Sequence, residues 1–386
     1  MADILQSTRG RMSEAGAMPL RRSDPPLATA VELGAWRDLA ASALEPNAYY
    51  LPEWVLAANA APDEQAAPRV LFGQGSDGRL TGLLPVQPLW PMLQTPLRLL
   101  MSADPFRSLN TPLLHRDYAA QGAAALIAAA RASGARALLL RDVAIEGDTA
   151  RALNRAVAAE GLQPVLLRRW SRASLDARQD AEALLRSGLG PKKLKDYRRL
   201  KRRLAEHGPI SFTVARSADD IDRAYDVFLA LEDSGWKGRR GSSLARQPAR
   251  AAMLRRAAIA LAAQSQCEIV QLNAGETPVA SGIILRHLDR AYFFKLGIAE
   301  GFARQSPGAL LTIEITRHLC ADPAIAMADS TAGPDHPMIG PIWRGRIEIG
   351  DVLIPLRAGD PLIGPITIAL RTRETLRRTA KRLLRR

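Results

Sequence analysis

Hydrophobic and polar positions along this 386-residue chain follow two periods in turn. Apolar residues recurring every three or four positions line one face of a helical turn, and they predict helices at about 31–43, 52–61, 119–133 and 148–160. Alternating or continuous apolar runs predict strands at 69–73, 79–88, 97–101, 137–143 and 162–170. The second half repeats the order. A strand at 210–215 precedes a helix opened by Ser217, with Asp219 and Asp220 in its first turn, that runs to Leu231; another helix follows at about 246–264. Strands at 268–273, 279–286 and 291–298 come next, divided by the turn residues Gly275 to Pro278 and by Asp289 and Arg290. An apolar run from Leu310 to Leu319 predicts a helix, and 326–330 a short strand. Two helices, a meander, a helix and a strand thus occur twice. Residues 1–25 show neither period and are expected to be disordered.

The transition from the strand at 291–298 to the next helix is the most informative. Arg304, Gln305, Ser306, Pro307, Gly308 and Ala309 form a turn that opens the helix. Such a turn offers backbone N–H groups and the positive end of a helix dipole, the local geometry that a CoA pyrophosphate needs. Gln305 and Gly308 fit a Q/R-x-x-G-x-G/A pattern, with Leu310 standing where the last small residue would be.

Length then suggests two domains, since 386 residues exceed what one core usually spans. Apolar residues make up 47% and charged residues 24%, the balance of a globular chain, and no run reaches the length of a membrane span. The arginine-bearing start lacks a secretory core, so a cytoplasmic location is expected, peripheral to the inner membrane face if the tail binds lipid. Cys267 and Cys320, each in an apolar context, read as buried thiols of a reducing compartment. The five histidines show no metal-ligand spacing, so no metal is expected, and no Walker or dinucleotide fingerprint appears.

Net charge is +14, concentrated in two clusters. Lys192, Lys193, Lys195, Arg198, Arg199, Lys201, Arg202 and Arg203 crowd one segment against Asp196. A second cluster spans 371–386, where Leu376, Ala380, Leu383 and Leu384 make one apolar helical stripe. The tail suits an anionic membrane surface. Nucleic acid is disfavoured because Tyr197 is the one aromatic interleaved with the first cluster.

Several side chains are candidates for chemistry. His336 follows a strand end and lies between prolines, and its ordinary pKa suits a general base at neutral pH; Asp329 and Asp335 stand ready to orient it or to bind an acceptor. Glu232 ends a helix and Trp236 with Lys237 opens a Gly-rich loop able to close over a substrate. Lys295, a cation inside an apolar strand, must face solvent, an acid or a bound anion. No G-x-S-x-G elbow or Cys–His pair points to a covalent route, which leaves direct attack in a ternary complex.

The stretch from Leu231 to Ser242, reading LEDSGWKGRRGS, resembles the LExSGWKGxxGT signature of the CelD/BcsL-type acyltransferases of the GCN5-related N-acetyltransferase (GNAT) superfamily. Arg304 to Leu311 resembles that family's R-x-SPG-x-LL. The basic segment is similar to its K-x-RR-x-x-RRL helix, and Tyr49 to Trp54 with Gly82 to Pro85 looks like its first-domain pattern. The resemblance spans about 30–350. It departs where Pro337 and Met338 replace a Tyr–Lys pair after Asp329 and Gly333, which leaves the acceptor and the proton-transfer scheme open.

The resemblance implies an α/β (α+β) fold: two tandem GNAT-like acyltransferase domains, each a mixed, mostly antiparallel sheet flanked by helices, similar also to the FemAB peptidyltransferases. The expected division is a tail at 1–25, an N-terminal domain at 26–170, a C-terminal domain at 171–370 entered by a basic helix at 191–205, and a basic amphipathic tail at 371–386. The implied co-substrate is acyl-CoA, acetyl-CoA or longer, with Leu296, Gly297 and Ile298 pairing with pantetheine and the turn from Arg304 to Ala309 holding phosphate. The implied reaction is N- or O-acyl transfer to an amine or hydroxyl, on a sugar, glycan or lipid precursor of exopolysaccharide, cellulose or envelope. Two alternatives stay open: a FemAB-like transferase whose basic helix grips aminoacyl-tRNA, and a binding module that keeps the fold without turnover.

Overall fold

The structure is a computed structural model that describes residues 15–17, 31–59, 69–89 and 98–383. Most of the expected tail at 1–25 lies outside the described residues, and its residues 15–17 form a short strand, β1 (Ala15–Ala17), instead of the disorder expected there. β1 pairs with β2 (Arg69–Gln74).

The first half contains α1 (Leu33–Ala41), α2 (Pro52–Asn59), β3 (Leu80–Pro88), β4 (Leu99–Ser102), β5 (Leu113–Leu114), α3 (Ala119–Ala132), β6 (Ala137–Ala144), α4 (Asp148–Ala159) and β7 (Val165–Asp176). The second contains α5 (Ala181–Ala205), β8 (Ile210–Ala215), α6 (Ala218–Ser234), α7 (Trp236–Arg239), α8 (Pro248–Ala262), β9 (Cys267–Ala274), β10 (Thr277–His287), β11 (Arg290–Ile298), α9 (Pro307–Cys320), β12 (Met327–Asp329), α10 (Ile339–Ile342), β13 (Gly345–Pro355) and α11 (Ile363–Leu383).

The basic helix starts earlier than the sequence predicts. Its first two turns precede a break at Gly190, whose φ of 70° lies outside the helical region, and Pro191 then opens the basic part. The amphipathic tail likewise belongs to a longer helix that begins at Ile363.

All strands join one 13-stranded sheet, and its order shows how the halves interlock. In the first half β2, β3 and β4 form an antiparallel meander, and β4 runs parallel to β6. In the second half β8 to β11 form the matching meander, and β11 runs parallel to β12. The next strand on each side is exchanged. β13, from the end of the chain, pairs with β6, whereas β7, from the first half, pairs with β12; the two lie side by side and join the halves. A boundary at 170/171 therefore falls inside β7, and β13 belongs to the sheet of the half that the division at 171–370 excludes. Each half is a mixed, mostly antiparallel sheet flanked by helices, as the fold class expects.

Aromatic side chains fill the junction. Tyr49 and Trp54 pack edge-on at 5.2 Å between centroids, and Tyr49 meets Tyr292 of β11 at 5.5 Å. The Tyr292 hydroxyl donates to the Pro46 carbonyl at 2.6 Å. His287 of β10 accepts from the Asn47 N–H through Nδ1 at 2.8 Å, and its Nε2 lies 2.9 Å from the Ala40 carbonyl. With Nδ1 accepting, Nε2 carries the proton and donates. Burial pulls its pKa down to about 4, so this ring is neutral and structural.

Candidate active site

The candidate site is built where β11 and β12 part. Their parallel ladder covers only Arg290, Ala291 and Tyr292 against Met327, Ala328 and Asp329. The Thr331 hydroxyl extends the join by one step, donating to the Phe293 carbonyl at 2.7 Å. Beyond that point the β11 edge separates from β12, and a bulge opposite Ile283 and Ile284 leaves Phe294 out of register. Bulges re-aim side chains. Here Phe294 turns onto Trp54 and Phe106, at 5.2 and 5.1 Å between centroids, and the Lys295 ammonium stands 4.8 Å from the Phe106 ring and 5.0 Å from that of Phe294.

The last residues of β11 sit between two helices. A Cβ on Gly297 would come within 2.9 Å of the Glu232 amide and 3.1 Å of the Phe228 carbonyl on α6, so only glycine lets strand and helix lie this close. Leu296 and Ile298 face the other way, onto the first turn of α9, where a Cβ on Gly308 would meet them at 3.0 and 3.2 Å. The sulfur of Met338 lies 3.3 Å from the same point. Sequence reasoning thus nominated Leu296, Gly297, Ile298 and Gly308 as one group, and the fold brings them together, with the loop from Thr331 to Met338 folded over them.

The turn before α9 runs through Arg304, which is exposed, and Gln305 to Ser306, which adopts a left-handed conformation with φ 51° and ψ 51°. Pro307 has no N–H, and the Ala309 and Leu310 N–H groups both go to the Ser306 carbonyl, at 3.0 and 3.2 Å. The first turn is left with the N–H of Gly308 to direct at an anion. Among the described residues the Gln305 side-chain oxygen is buried without a hydrogen-bond partner, an unmet acceptor in the same turn. α5 packs against both this turn and α9, with Lys201 bonded to Glu314 at 2.7 Å. Its Lys192, Lys193, Lys195, Arg198, Arg199, Arg202 and Arg203 stay exposed.

The nominated acids hold the scaffold together. Asp329 is buried and ion-paired to Arg172 of β7, and its other oxygen accepts from the Thr331 N–H at 2.9 Å. Arg172 is itself buried and donates to the Ser108 carbonyl at 2.6 Å. An acid so engaged braces the join of the halves. Glu232 is buried and accepts from the Leu244 N–H at 2.8 Å, so it pins the loop after α6. Trp236 and Lys237 stand in α7, between Glu232 and that pinned loop.

His336 and Asp335 occupy the exposed part of the loop over Gly308, and Asp335 has a left-handed φ of 52°. His336 Nδ1 lies 3.5 Å from the Ile339 N–H, and partial desolvation lowers its pKa below the ordinary imidazole value. Arg172 and Met338, both central to this geometry, were not nominated. Arg172 carries no local signal, because its partners lie 64 and 157 residues away.

Comparison with known proteins agrees with this layout. Residues 191–336 match the family model described as an acetyltransferase (GNAT) domain. The match takes in the basic part of α5, the β11/β12 opening and the loop to His336. The crystal structure of FemX is similar over 87% of this chain and 98% of its own, at 12% identity and a TM-score of 0.59. The C-terminal DUF2156 domain of a protein named as a lysylphosphatidylglycerol synthetase, from Agrobacterium fabrum, is similar over 88% and 95%, at 13% identity and a TM-score of 0.53. A protein of unknown function from Bacteroides thetaiotaomicron is similar over 85% and 98%, at 13% identity and a TM-score of 0.53. These likenesses show a shared fold that extends across both halves. No curated protein matches the sequence.

Proposed function

We propose that this protein is an acyltransferase that takes its acyl group from acyl-CoA and delivers it to an amine or hydroxyl. The observation that carries the reading is the opening between β11 and β12 beside the first turn of α9, inside the GNAT match. The residues present fit the donor. Leu296 to Ile298 present a strand edge for an extended amide chain, Gly308 supplies an N–H to phosphate, and the basic face of α5 adds cations alongside. Met338 covers Gly308, so the loop over it shifts when the donor enters.

His336, at the edge of that loop, removes the proton of the attacking amine or hydroxyl, and Asp335 beside it faces the acceptor. Lys295, held over two rings at the junction, places a cation toward the first half. An acceptor from exopolysaccharide or envelope synthesis, as in CelD/BcsL-type enzymes, belongs to this proposal through the sequence resemblance.

Calorimetric titration with acetyl-CoA and a longer acyl-CoA tests the donor. Gly308→Glu would disturb the contact with Leu296 and Ile298 as well as any phosphate, so two gentler variants are preferable. Gln305→Glu keeps the side-chain shape, and Ser306→Asp places a good capping residue at a left-handed position that aspartate tolerates. Each adds a negative charge at the turn and is expected to weaken binding at least tenfold. Unchanged affinity in both would place the donor elsewhere.

A second reading is favoured by one observation, the seven exposed cations of α5 after Pro191. A donor carried on tRNA would be gripped there, with affinity falling steeply as salt rises. Binding of aminoacyl-tRNA with no response to any acyl-CoA would select this reading. Binding of acyl-CoA without turnover on any acceptor would favour a module that keeps the fold alone.

A further inference from the structure

A cavity of about 830 Å³ is lined by the first half together with α8, β13 and α11, and none of its lining residues belongs to the turn before α9. It occupies the opening between β4 and β6, whose parallel ladder stops at Met101 and Leu139, and is thus the first half's counterpart of the β11/β12 opening. α11 lies across it. Ile366 and Leu370 anchor the helix in a small core with Leu89, Leu99, Met101 and Leu139, and the following turns form one wall of the cavity.

The lining sets the chemistry of a ligand. Eight arginines face the cavity against three acids. Of the acids, burial pushes Asp104 up to about 6 and raises Asp351, which lies 3.7 Å from Arg141, above its ordinary value. Arg141 is held below its ordinary pKa by burial and by the neighbouring Arg107 cation, as expected where positive charge is in excess. The third acid, Glu374 of α11, stands between two of the arginines: it is 3.6 Å from Arg141 and 3.4 Å from Arg168. Arg373, next to Glu374, and Arg377, about one turn further on, also line the cavity from α11, with no ion-pair partner among the described residues. Trp54, Val55, Leu139, Leu167 and Met253 supply an apolar wall.

We infer that this cavity binds an amphiphilic anion, a phosphoryl-bearing group attached to an apolar portion, and that the Glu374 carboxylate is its built-in stand-in. The ligand's anionic group replaces Glu374 between Arg141 and Arg168, its apolar part lies along the Trp54 wall, and the displaced carboxylate frees the outer turns of α11. The inference does not depend on acyl transfer, because binding alone reads it.

The test is calorimetric titration of the full chain with dodecyl phosphate below its micellar concentration and, separately, with inorganic phosphate. Dodecyl phosphate is expected to bind at least tenfold more tightly than inorganic phosphate. Glu374→Gln, which removes the competing carboxylate, should tighten dodecyl phosphate binding at least threefold, a gain that misfolding cannot produce. Arg141→Gln should weaken it at least tenfold. Equal affinities for the two probes would overturn the amphiphile and leave a free phosphate site. No binding, or binding that neither Glu374→Gln nor Arg141→Gln alters, would overturn the site itself.

Discussion

His336 shows how a residue's position constrains its chemistry. It sits on the exposed part of the loop that covers Gly308, and desolvation keeps its ring neutral to lower pH than a free imidazole. If it is the base, kcat/KM falls only as pH drops below the ordinary imidazole range near 6.5, where protonation removes the acceptor lone pair. A pH–rate profile should show that acid arm in the native protein. His336→Gln is expected to lose it along with roughly 10²–10⁴ of the rate. An arm that persists in the variant would assign the proton to another group. At this scale the sequence is legible where a residue type serves a local need: Gly308 and Gly297 stand out because strand and helix touch there. It is illegible for Met338, whose contact with Gly308 depends on the path of a loop.

Strand β7 and strand β12 are joined by the pair Arg172 and Asp329, which gives Asp329 a structural contact whatever part it has in catalysis. Both side chains are buried, so removing one partner strands a charge. Arg172→Met is expected to destabilise the protein by about 3–5 kcal/mol, read as a lowered denaturation midpoint. A purely catalytic Asp329 would instead leave stability untouched. Most elements follow from periodicity alone, among them α3, α4 and β8 to β11. β13 escapes it because Gly345, Gly350 and Pro355 interrupt the alternation, and because its partners β6 and β7 lie far back in the chain. The early start of α5 escapes it because Gly190 and Pro191 read as a helix boundary, whereas here they mark a kink.

For the whole molecule, the exchange of β7 and β13 makes each half's sheet depend on the other. Duplication of the element order was visible in the sequence; the exchange was not, since pairing between strands hundreds of residues apart leaves no local pattern. Titrating groups at the junction give this interlock a pH signature. His287 has a folded pKa near 4, below its unfolded value near 6.5, so its contribution is present above 6.5 and is lost as pH falls toward 4. Asp104 has a folded pKa near 6, above its unfolded value near 3.9, so it stabilises the fold below that value and loses this as pH rises toward 6. Each spans roughly 3 kcal/mol with opposite sign, and the two largely cancel between pH 4.5 and 6. Thermal midpoints of the native protein should therefore be nearly level across that window. His287→Gln removes one arm, so the variant should gain stability on going from pH 6 to 4.5; a variant as level as the native protein would contradict the assignment.

No helix among the described residues is long and apolar enough to cross a membrane. α11 carries Ile368 and Leu376 exposed beside its arginines. Hydrogen exchange of the full chain, with and without acetyl-CoA, tests the proposed donor site at the opening of β11 and β12. Slowed exchange is expected only in 294–310 and 331–338, with the cavity between β4 and β6 unchanged. Protection absent from both segments, or appearing instead along β4, β6 and α11, would contradict it.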